Sequence, residues 1–341
     1  MTAPNAFGFG ILGTGMIANV VAGAIEAAPS ARLATVASRS LARAEAFTAE
    51  RQGTKPVEGL DAMLDQKAVQ AVYIAVPTVH KEAAAMAAIA AGKHVLVDKP
   101  FVDAASVERM TQAAAEAGLV FMDATHFVHH PRRAQVRAET PALVGTPTAL
   151  HTVFYGGTTD RTNIRFDPAL EPMGALGDLG WYCLRAVVEY LRPQGALVQA
   201  SASGRRDPET GALTHCSGLL AFASGETATF GCGFETGGMI DTVALFGEKG
   251  SVALDDFVMN WTNSFARQEP DVATGFTHRK NQKTVNGFAF IETPSETPQH
   301  VLMVEAFRRL AENGQGEERA AFAKASLDTQ RCLDAIWAAL S

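Results

Sequence analysis

Residues 7–18 read FGFGILGTGMIA, an apolar strand that runs into a glycine turn and then a helix. The turn is Gly13-Thr14-Gly15-Met16-Ile17-Ala18, with G-x-G-x-x-A spacing, and its positions have distinct mechanical tasks. Gly13 permits a tight turn, Gly15 leaves the backbone open to a close anionic neighbour, and Ala18 lets the helix lie near its strand. The N–H groups that open the helix face outward, where the helix dipole favours negative charge. Turns of this kind also occur as plain strand–helix connections. Its place after a strand and before a helical stretch at 16–28 favours a dinucleotide site, with Gly13, Thr14, Gly15, Met16 and Ile17 around the pyrophosphate.

The alternation of strand and helix continues. Apolar runs at 32–37, 70–76, 94–97 and 119–122 alternate with helical stretches at 41–51, 80–91 and 103–117. Gly92 and Gly118 stop the last two helices. Repeated units of this kind predict a parallel, doubly wound sheet. Near residue 124 the rhythm changes, and strands at 149–155, 197–205, 214–223, 227–234, 242–246 and 251–255 are joined mostly by turns. One helix at 175–191 is inserted early, and two more, at 300–312 and 320–340, end the chain. The expected class is α/β. A Rossmann domain occupies residues 1–123, and an α+β domain with an open, mostly antiparallel sheet occupies 124–341. The terminal helices are free to pack back on the first domain.

A chain of 341 residues, 47% hydrophobic and 19% charged, can build two sizeable cores. Its net charge is −7 and no block of Lys or Arg stands out, which argues against nucleic acid and anionic membrane as partners. No apolar run reaches transmembrane length, and a first strand starting by Phe7 leaves no room for a signal peptide before it. Cys183, Cys216, Cys232 and Cys332 are scattered without a C-x-x-C pair, so neither a zinc site nor a disulfide framework is expected. A cytoplasmic protein with reduced thiols is the simplest expectation.

The second strand ends Ala37-Ser38-Arg39-Ser40, without the carboxylate that usually accepts from the ribose hydroxyls of NAD. Arg39 can instead stack on adenine and hold a 2′-phosphate, Ser38 and Ser40 can donate to it, and Arg43 can assist. NADP(H) is therefore preferred, with NAD(H) possible; the alternative leaves the two arginines as solvated helix-start residues.

Three stretches carry side chains suited to chemistry. Val76-Pro77-Thr78-Val79-His80 lies at the carboxyl end of a central strand, the edge where open α/β sheets bind ligands. Pro77 and His80 are candidates to line the nicotinamide, although His80 could equally begin a helix. Val97-Asp98-Lys99-Pro100 follows the next strand at the same edge, so Lys99 can project its ammonium toward cofactor and substrate. In Gly174-Ala175-Leu176-Gly177-Asp178-Leu179-Gly180-Trp181-Tyr182, a helix sets Asp178 and Tyr182 at i and i+4, on one face with Arg185 and Glu189. A carboxylate beside a phenol can orient a hydroxyl and move its proton, but an amphipathic helix with a polar outer face has the same spacing. The loop before it offers Arg161, Asn163 and Arg165 for polar substrate groups or for anchoring the loop itself. His126, His129 and His130 have helical metal spacing, but no carboxylate or cysteine completes a set and Pro131 ends the run, so no metal is expected and His126 is placed in the substrate wall.

These pieces together resemble the Gfo/Idh/MocA oxidoreductases. The carriers are GILGTGMIA at 10–18, VPTVH at 76–80, AAGKHVLVDKP at 90–100, GALGDLGWY at 174–182 and SLDTQRCLDAIW at 326–337. Within the family the resemblance is greatest to the branch of trans-1,2-dihydrodiol dehydrogenase, NADP-dependent D-xylose dehydrogenase and anhydrofructose reductase. It implies that Lys99 is the catalytic lysine, in Asp98-Lys99-Pro100 where many members have Glu-Lys-Pro. It implies that Asp178 orients the substrate, and that Tyr182 stands where many members have a histidine. It further implies a cis bond before Pro100 and a homodimer or homotetramer formed through the open sheet face. Pro172-Met173-Gly174 replaces the usual glycine triplet, and the segment 122–131 replaces a familiar Arg-Phe-x-Pro-like stretch, so the substrate wall differs.

The implied activity is hydride transfer between a nicotinamide and a polyol or carbonyl substrate, with Tyr182 and Lys99 managing the proton. A phenol near pKa 10 needs help to act as a base at neutral pH, which a nearby ammonium supplies. The rival reading is a non-catalytic NAD(P)-sensing regulator of the same fold. Retention of Lys99, Asp178 and Tyr182 together speaks against it.

Overall fold

The computed structural model describes residues 6–234, 238–280 and 287–340. The chain divides into two compact units, residues 1–125 with 300–327, and residues 126–299 with 328–341.

In the first unit the elements run β1 (Phe7–Leu12), α1 (Met16–Ala27), β2 (Ala31–Ser38), α2 (Leu41–Thr48), β3 (Lys55–Glu58), α3 (Leu60–Leu64), β4 (Ala71–Ile74), α4 (Thr78–Ala90), β5 (His94–Val97), α5 (Ala104–Glu116) and β6 (Phe121–Asp123). The strands form one sheet in the order β3-β2-β1-β4-β5-β6, and every pairing is parallel. Buried Phe9, Ile11, Val36, Tyr73 and Leu96 explain why these short runs read as continuously apolar. Helix α1 buries Ala18, Val21, Ala22 and Ile25. The chain order reverses between β1 and β4, which opens a crevice at their carboxyl ends. β3 and α3 go beyond the sequence expectation. β3 is short, carries Pro56 and pairs only with β2, as an edge strand tolerates.

Helix α8 (Gln299–Asn313) contributes Val304, Phe307 and Leu310 to this core, and the Phe9 and Phe307 ring centroids are 5.7 Å apart. The last helix, α9 (Gly316–Ala339), follows it.

The second unit opens with a 3₁₀ turn at His126–His129 and α6 (Pro131–Leu143). Then come β7 (Pro147–Tyr155), a second 3₁₀ turn at Ile164–Phe166, and a helical segment made of a π turn (Leu176–Gly180), α7 (Trp181–Ala186) and another π turn (Val187–Leu191). Six further strands are β8 (Leu197–Arg206), β9 (Leu213–Phe222), β10 (Thr227–Gly233), β11 (Ile240–Gly247), β12 (Gly250–Leu254) and β13 (Gly275–Lys280). With β14 (Phe288–Glu292) they form a sheet ordered β14-β13-β12-β11-β7-β10-β9-β8. Among the described residues, only the β7–β10 strand pairing in this sheet is parallel. Leu150, Thr152 and Phe154 on β7, Phe230 and Cys232 on β10, and Val243 and Leu245 on β11 alternate inward, and the 176–191 helix packs against β7 and β10. Ile240, Phe246, Phe288 and Phe290 are exposed on the same sheet.

The expectation of a single early helix in this half is corrected, since α6 precedes the sheet. Pro131 occupies its first turn, and its buried residues are Arg132, Val136 and Thr140 rather than an apolar stripe. Arg132 forms a buried ion pair with Asp256, donates to the Gly275 carbonyl at 3.1 Å and to the Asp256 carbonyl at 2.7 Å, and Asp256 also accepts from the Trp261 N–H at 3.0 Å. The four cysteines are buried free thiols.

Two imidazoles, one buried and one half-buried, act as acceptors. His94 Nδ1 accepts from the Val120 N–H at 3.0 Å, and His130 Nδ1 accepts from the Arg132 N–H at 3.0 Å. Burial, aided by Arg319, lowers His94 from 6.5 to about 4, and burial, aided by Arg132, lowers His130 to about 3. Both folded values lie below the unfolded one, so between them the unfolded chain binds more protons. The stability these groups contribute is complete above pH 6.5 and is lost as pH falls through that interval. The melting temperature is expected to fall already between about pH 6.5 and 5, above the carboxylate range. His94→Gln, which keeps an acceptor without a titrating ring, should flatten part of that slope, and an unchanged slope would refute the assignment.

Candidate active site

In the first unit the turn after β1 is shaped by contacts that no larger residue could make. Gly13 has φ +114°, and a Cβ there would meet the Ala75 carbonyl oxygen at 2.4 Å. Gly15, the N-cap of α1, makes no side-chain cap, and a Cβ at this position would have nothing within 4 Å. The first N–H groups of α1 thus open onto clear space, with Thr14, Met16 and Ile17 around them, an arrangement that fits a dinucleotide pyrophosphate.

Ser38 is buried at the end of β2 and its carbonyl accepts from Gly59 N–H at 2.9 Å, whereas Arg39 is exposed. Pro77 is the N-cap of α4, and His80 is an exposed residue of its first turn.

At the end of β5 the Lys99–Pro100 bond is cis. Lys99 is 8% exposed. Beneath it lies Lys81, whose Nζ donates to the Lys99 carbonyl at 2.7 Å, the Pro100 carbonyl at 2.9 Å and Thr78 Oγ1 at 3.2 Å. Three acceptors meet the three ammonium donors, which makes the burial of this charge tolerable. Sequence reasoning missed Lys81. The signal was a lysine within the spacing 81, 84, 85, 88, otherwise the buried alanine stripe of α4.

In the second unit, Gly174 turns into the helical segment with φ +48°, where a Cβ would meet the Leu213 carbonyl oxygen at 2.4 Å. Asp178 lies in the first π turn and accepts from Arg165 Nε at 2.5 Å. Asn163 Oδ1 accepts from the Arg165 N–H at 3.1 Å, so Asn163, Arg165 and Asp178 form one connected group. Arg161 instead pairs with Asp207, at 2.9 Å through Nε and 2.7 Å through its second terminal nitrogen. That bond holds the Asp207 carboxyl well below the usual carboxylate range.

Tyr182 is buried among the rings of His126, Phe127 and Phe154, with centroids 5.6, 6.3 and 5.5 Å away, and its Oη lies 3.3 Å from His126 Nε2. Tyr182, Arg185 and Glu189 are buried and Asp178 is half-buried, so the segment carries no polar outer face, and π turns lie on either side of its α-helical stretch. Arg185 and Glu189 are buried as an ion pair at 2.9 Å, and Arg133 and Arg137 reach the same carboxylate at 2.9 and 3.0 Å. Burial opposes ionisation of Glu189, but the guanidiniums prevail and its pKa is lowered. Among the described residues no group of three His, Cys, Asp or Glu side chains is arranged to hold a metal ion, and no helix is long and apolar enough to cross a membrane.

Residues 7–125 match the model of the Gfo/Idh/MocA oxidoreductase family with its NAD-binding Rossmann fold, and residues 142–253 match the family's C-terminal domain. The chain belongs to the Gfo/Idh/MocA oxidoreductase family.

Membership makes it an NAD(P)-dependent oxidoreductase. Among curated Gfo/Idh/MocA relatives, dTDP-3,4-didehydro-2,6-dideoxy-α-D-glucose 3-reductase of Actinomadura kijaniata is 34% identical over 214 residues, 62% of this chain and 63% of the relative. D-xylose 1-dehydrogenase (NADP(+)) 2 of Haloferax volcanii is 29% identical over 335 residues, 96% of both chains. A crystal structure of KijD10, a 3-ketoreductase from Actinomadura kijaniata with NADP and TDP-benzene, superposes with a TM-score of 0.86 at 26% identity, covering 98% of each chain. The xylose dehydrogenase is among the relatives that the sequence suggests, and the deoxysugar 3-reductase is a further one.

Proposed function

We propose that this protein is an NADP(H)-dependent oxidoreductase of a sugar-like substrate, reducing a carbonyl or oxidising the corresponding hydroxyl. The reading is carried by two ionisable side chains kept buried at the motif positions, the amine of Lys99 and the phenol of Tyr182. The named activities of the reductase and dehydrogenase relatives support the sugar-like substrate class. When bound, the nicotinamide supplies or accepts the hydride at the substrate carbon. In the reductive direction Tyr182 Oη gives its proton to the substrate oxygen, and in the oxidative direction it takes that proton back. The Lys99 ammonium favours the phenolate and stabilises negative charge developing on the substrate oxygen. Asp178, steadied by Arg165, accepts from a neighbouring substrate hydroxyl and so fixes the reacting face, with Asn163 beside it. His126 stands beside Tyr182, its Nε2 3.3 Å from the phenol oxygen. Arg161 is given a loop-anchoring role through Asp207 and at most a peripheral substrate contact.

The assay that tests this reading follows NADPH consumption over aldoses, anhydroketoses, diketones and nucleoside-diphosphate-linked keto sugars. Turnover on at least one class is expected. Tight NADPH binding without turnover on any would mark a cofactor sensor instead.

Arg39, exposed at the end of β2, is assigned to the 2′-phosphate, with Ser38 and Ser40 beside it. Arg39→Ala is expected to weaken NADPH binding by about ten- to a hundredfold, the worth of a charge-assisted hydrogen bond, and to leave NADH nearly unchanged. Equal losses for both cofactors in a fluorescence titration would remove the assignment.

The exposed Ile240, Phe246, Phe288 and Phe290 support self-association through the open sheet face as a homodimer or homotetramer. Light scattering of the eluted protein reads the order directly.

A further inference from the structure

The hydrogen bonds around His126 decide which of its nitrogens carries the proton. Gln299 Nε2 lies 2.5 Å from the Val258 carbonyl oxygen and 2.7 Å from His126 Nδ1. A carbonyl oxygen only accepts, so the amide atom facing it is the NH2 group; turning the amide over would set two oxygens against each other. The same NH2 group then donates to His126 Nδ1, which must present its lone pair. A neutral imidazole has one N–H, and the only place left for it is Nε2. That nitrogen is 3.3 Å from Tyr182 Oη. Gln299 and Val258 are 0% exposed, His126 3% and Tyr182 6%, so two opposed acceptors here would carry a full desolvation cost and their repulsion as well, more than the one buried acceptor, Gln299 Oε1, that the assigned orientation leaves without a partner.

We propose that Gln299 locks His126 as the Nε2–H tautomer, and that this N–H donates to the phenol oxygen of Tyr182. The phenol O–H is then directed away from the imidazole and toward substrate. The catalytic consequence rests on the reading of Tyr182 as the residue that moves the proton; the tautomer does not. As Tyr182 gives up its proton, charge develops on Oη among the rings of Phe127 and Phe154, and an N–H already aimed at Oη stabilises it without rearrangement. With the opposite tautomer, Nε2 would accept the phenol proton and compete with the substrate for it. His126 and Gln299 are thus positioning residues for Tyr182, joined across 173 positions of sequence. The assignment replaces the substrate-wall role that sequence alone suggests for His126.

The direct test is long-range ¹H–¹⁵N correlation spectroscopy on the full-length protein labelled in its imidazole nitrogens. The His126 signals are assigned by their loss in His126→Gln. A protonated Nε2 beside a bare Nδ1 is expected at neutral pH; a protonated Nδ1 overturns the proposal whatever the activity proves to be. The kinetic arm uses a substrate found in the NADPH assay. His126→Phe keeps a ring but removes the donor, and should lower kcat about ten- to a hundredfold with the KM for NADPH unchanged. His126→Gln, whose amide N–H can reach Oη, should recover kcat to within about threefold of the native enzyme. If Tyr182→Phe abolishes turnover while His126→Phe does not slow it, the donor role is wrong although the proton-transfer reading stands. If Tyr182→Phe retains full turnover, that reading fails and the spectroscopic result still judges the tautomer.

Discussion

Lys99→Met is expected to remove most turnover, by about a hundred- to ten-thousandfold in kcat, while NADPH binding stays near that of the native protein. Methionine nearly matches the lysine stem in length and apolar bulk, so it fills the same buried volume and takes away only the ammonium. The carbonyls of Lys99 and Pro100 remain held by Lys81, and these two bonds do not depend on the side chain at 99. The glycine turn after β1 is a separate segment and should keep its shape. The effect should therefore fall on chemistry rather than on cofactor affinity. Single-turnover oxidation of NADPH, paired with a fluorescence titration of binding, separates the two. Unchanged turnover, or a collapse of NADPH binding, would defeat the assigned role.

The largest single stability loss is expected from Asp256→Ala. Arg132 and Asp256 are both almost fully buried, with side chains 2% and 3% exposed, and removing one partner strands the other charge without water. Breaking such a pair costs about 3–5 kcal/mol. For a protein of this size that is a fall on the order of 10 °C in melting temperature. The signature of the mechanism is the double variant. Arg132→Met with Asp256→Leu removes both charges and should recover part of the loss, although the Gly275 carbonyl and the Trp261 N–H then forfeit their partners. A double variant less stable than Asp256→Ala, measured by denaturant unfolding, would show that packing rather than charge burial holds the two segments.

The parts of the fold that were legible are those in which local pattern and environment agree. β1, the Gly13–Ala18 turn and α1 could be read directly, because a buried parallel strand, a positive-φ glycine and an alanine packed on the sheet each leave a mark in the sequence. β3 left almost none, since Lys55-Pro56-Val57-Glu58 buries only Val57 well. α6 was hidden because its inward stripe is Arg132, Val136 and Thr140, and an arginine facing a core makes sense only once Asp256 is beside it. The last two strands of the sheet, β13 and β14, are polar or exposed over much of their length and show no clean alternation.

The candidate site divides the same way. Lys99, Asp178 and Tyr182 stand in motifs, whereas their supports do not. Lys81 hides in an alanine stripe, and Gln299 opens a helix far along the chain from the imidazole it orients. Such partners are chosen by tertiary proximity, which a single sequence does not record. The π turns at Leu176–Gly180 and Val187–Leu191 were equally invisible, since backbone register within a helix leaves no compositional trace.

The parallel pairing of β7 with β10 constrains how the chain can be rerouted. A strand beside a parallel neighbour cannot return by a hairpin, so the polypeptide leaves β7 on a long excursion, and Asn163, Arg165, Asp178 and Tyr182 all ride on it. Strand register is set elsewhere, by the ladders of β7 with β10 and β11. Inserting residues at 157–159, ahead of the Arg161–Asp207 pair, therefore costs little more than closure entropy, about 0.6 kcal/mol for each doubling of length. This architecture suits the grafting of new specificity loops onto an unaltered frame.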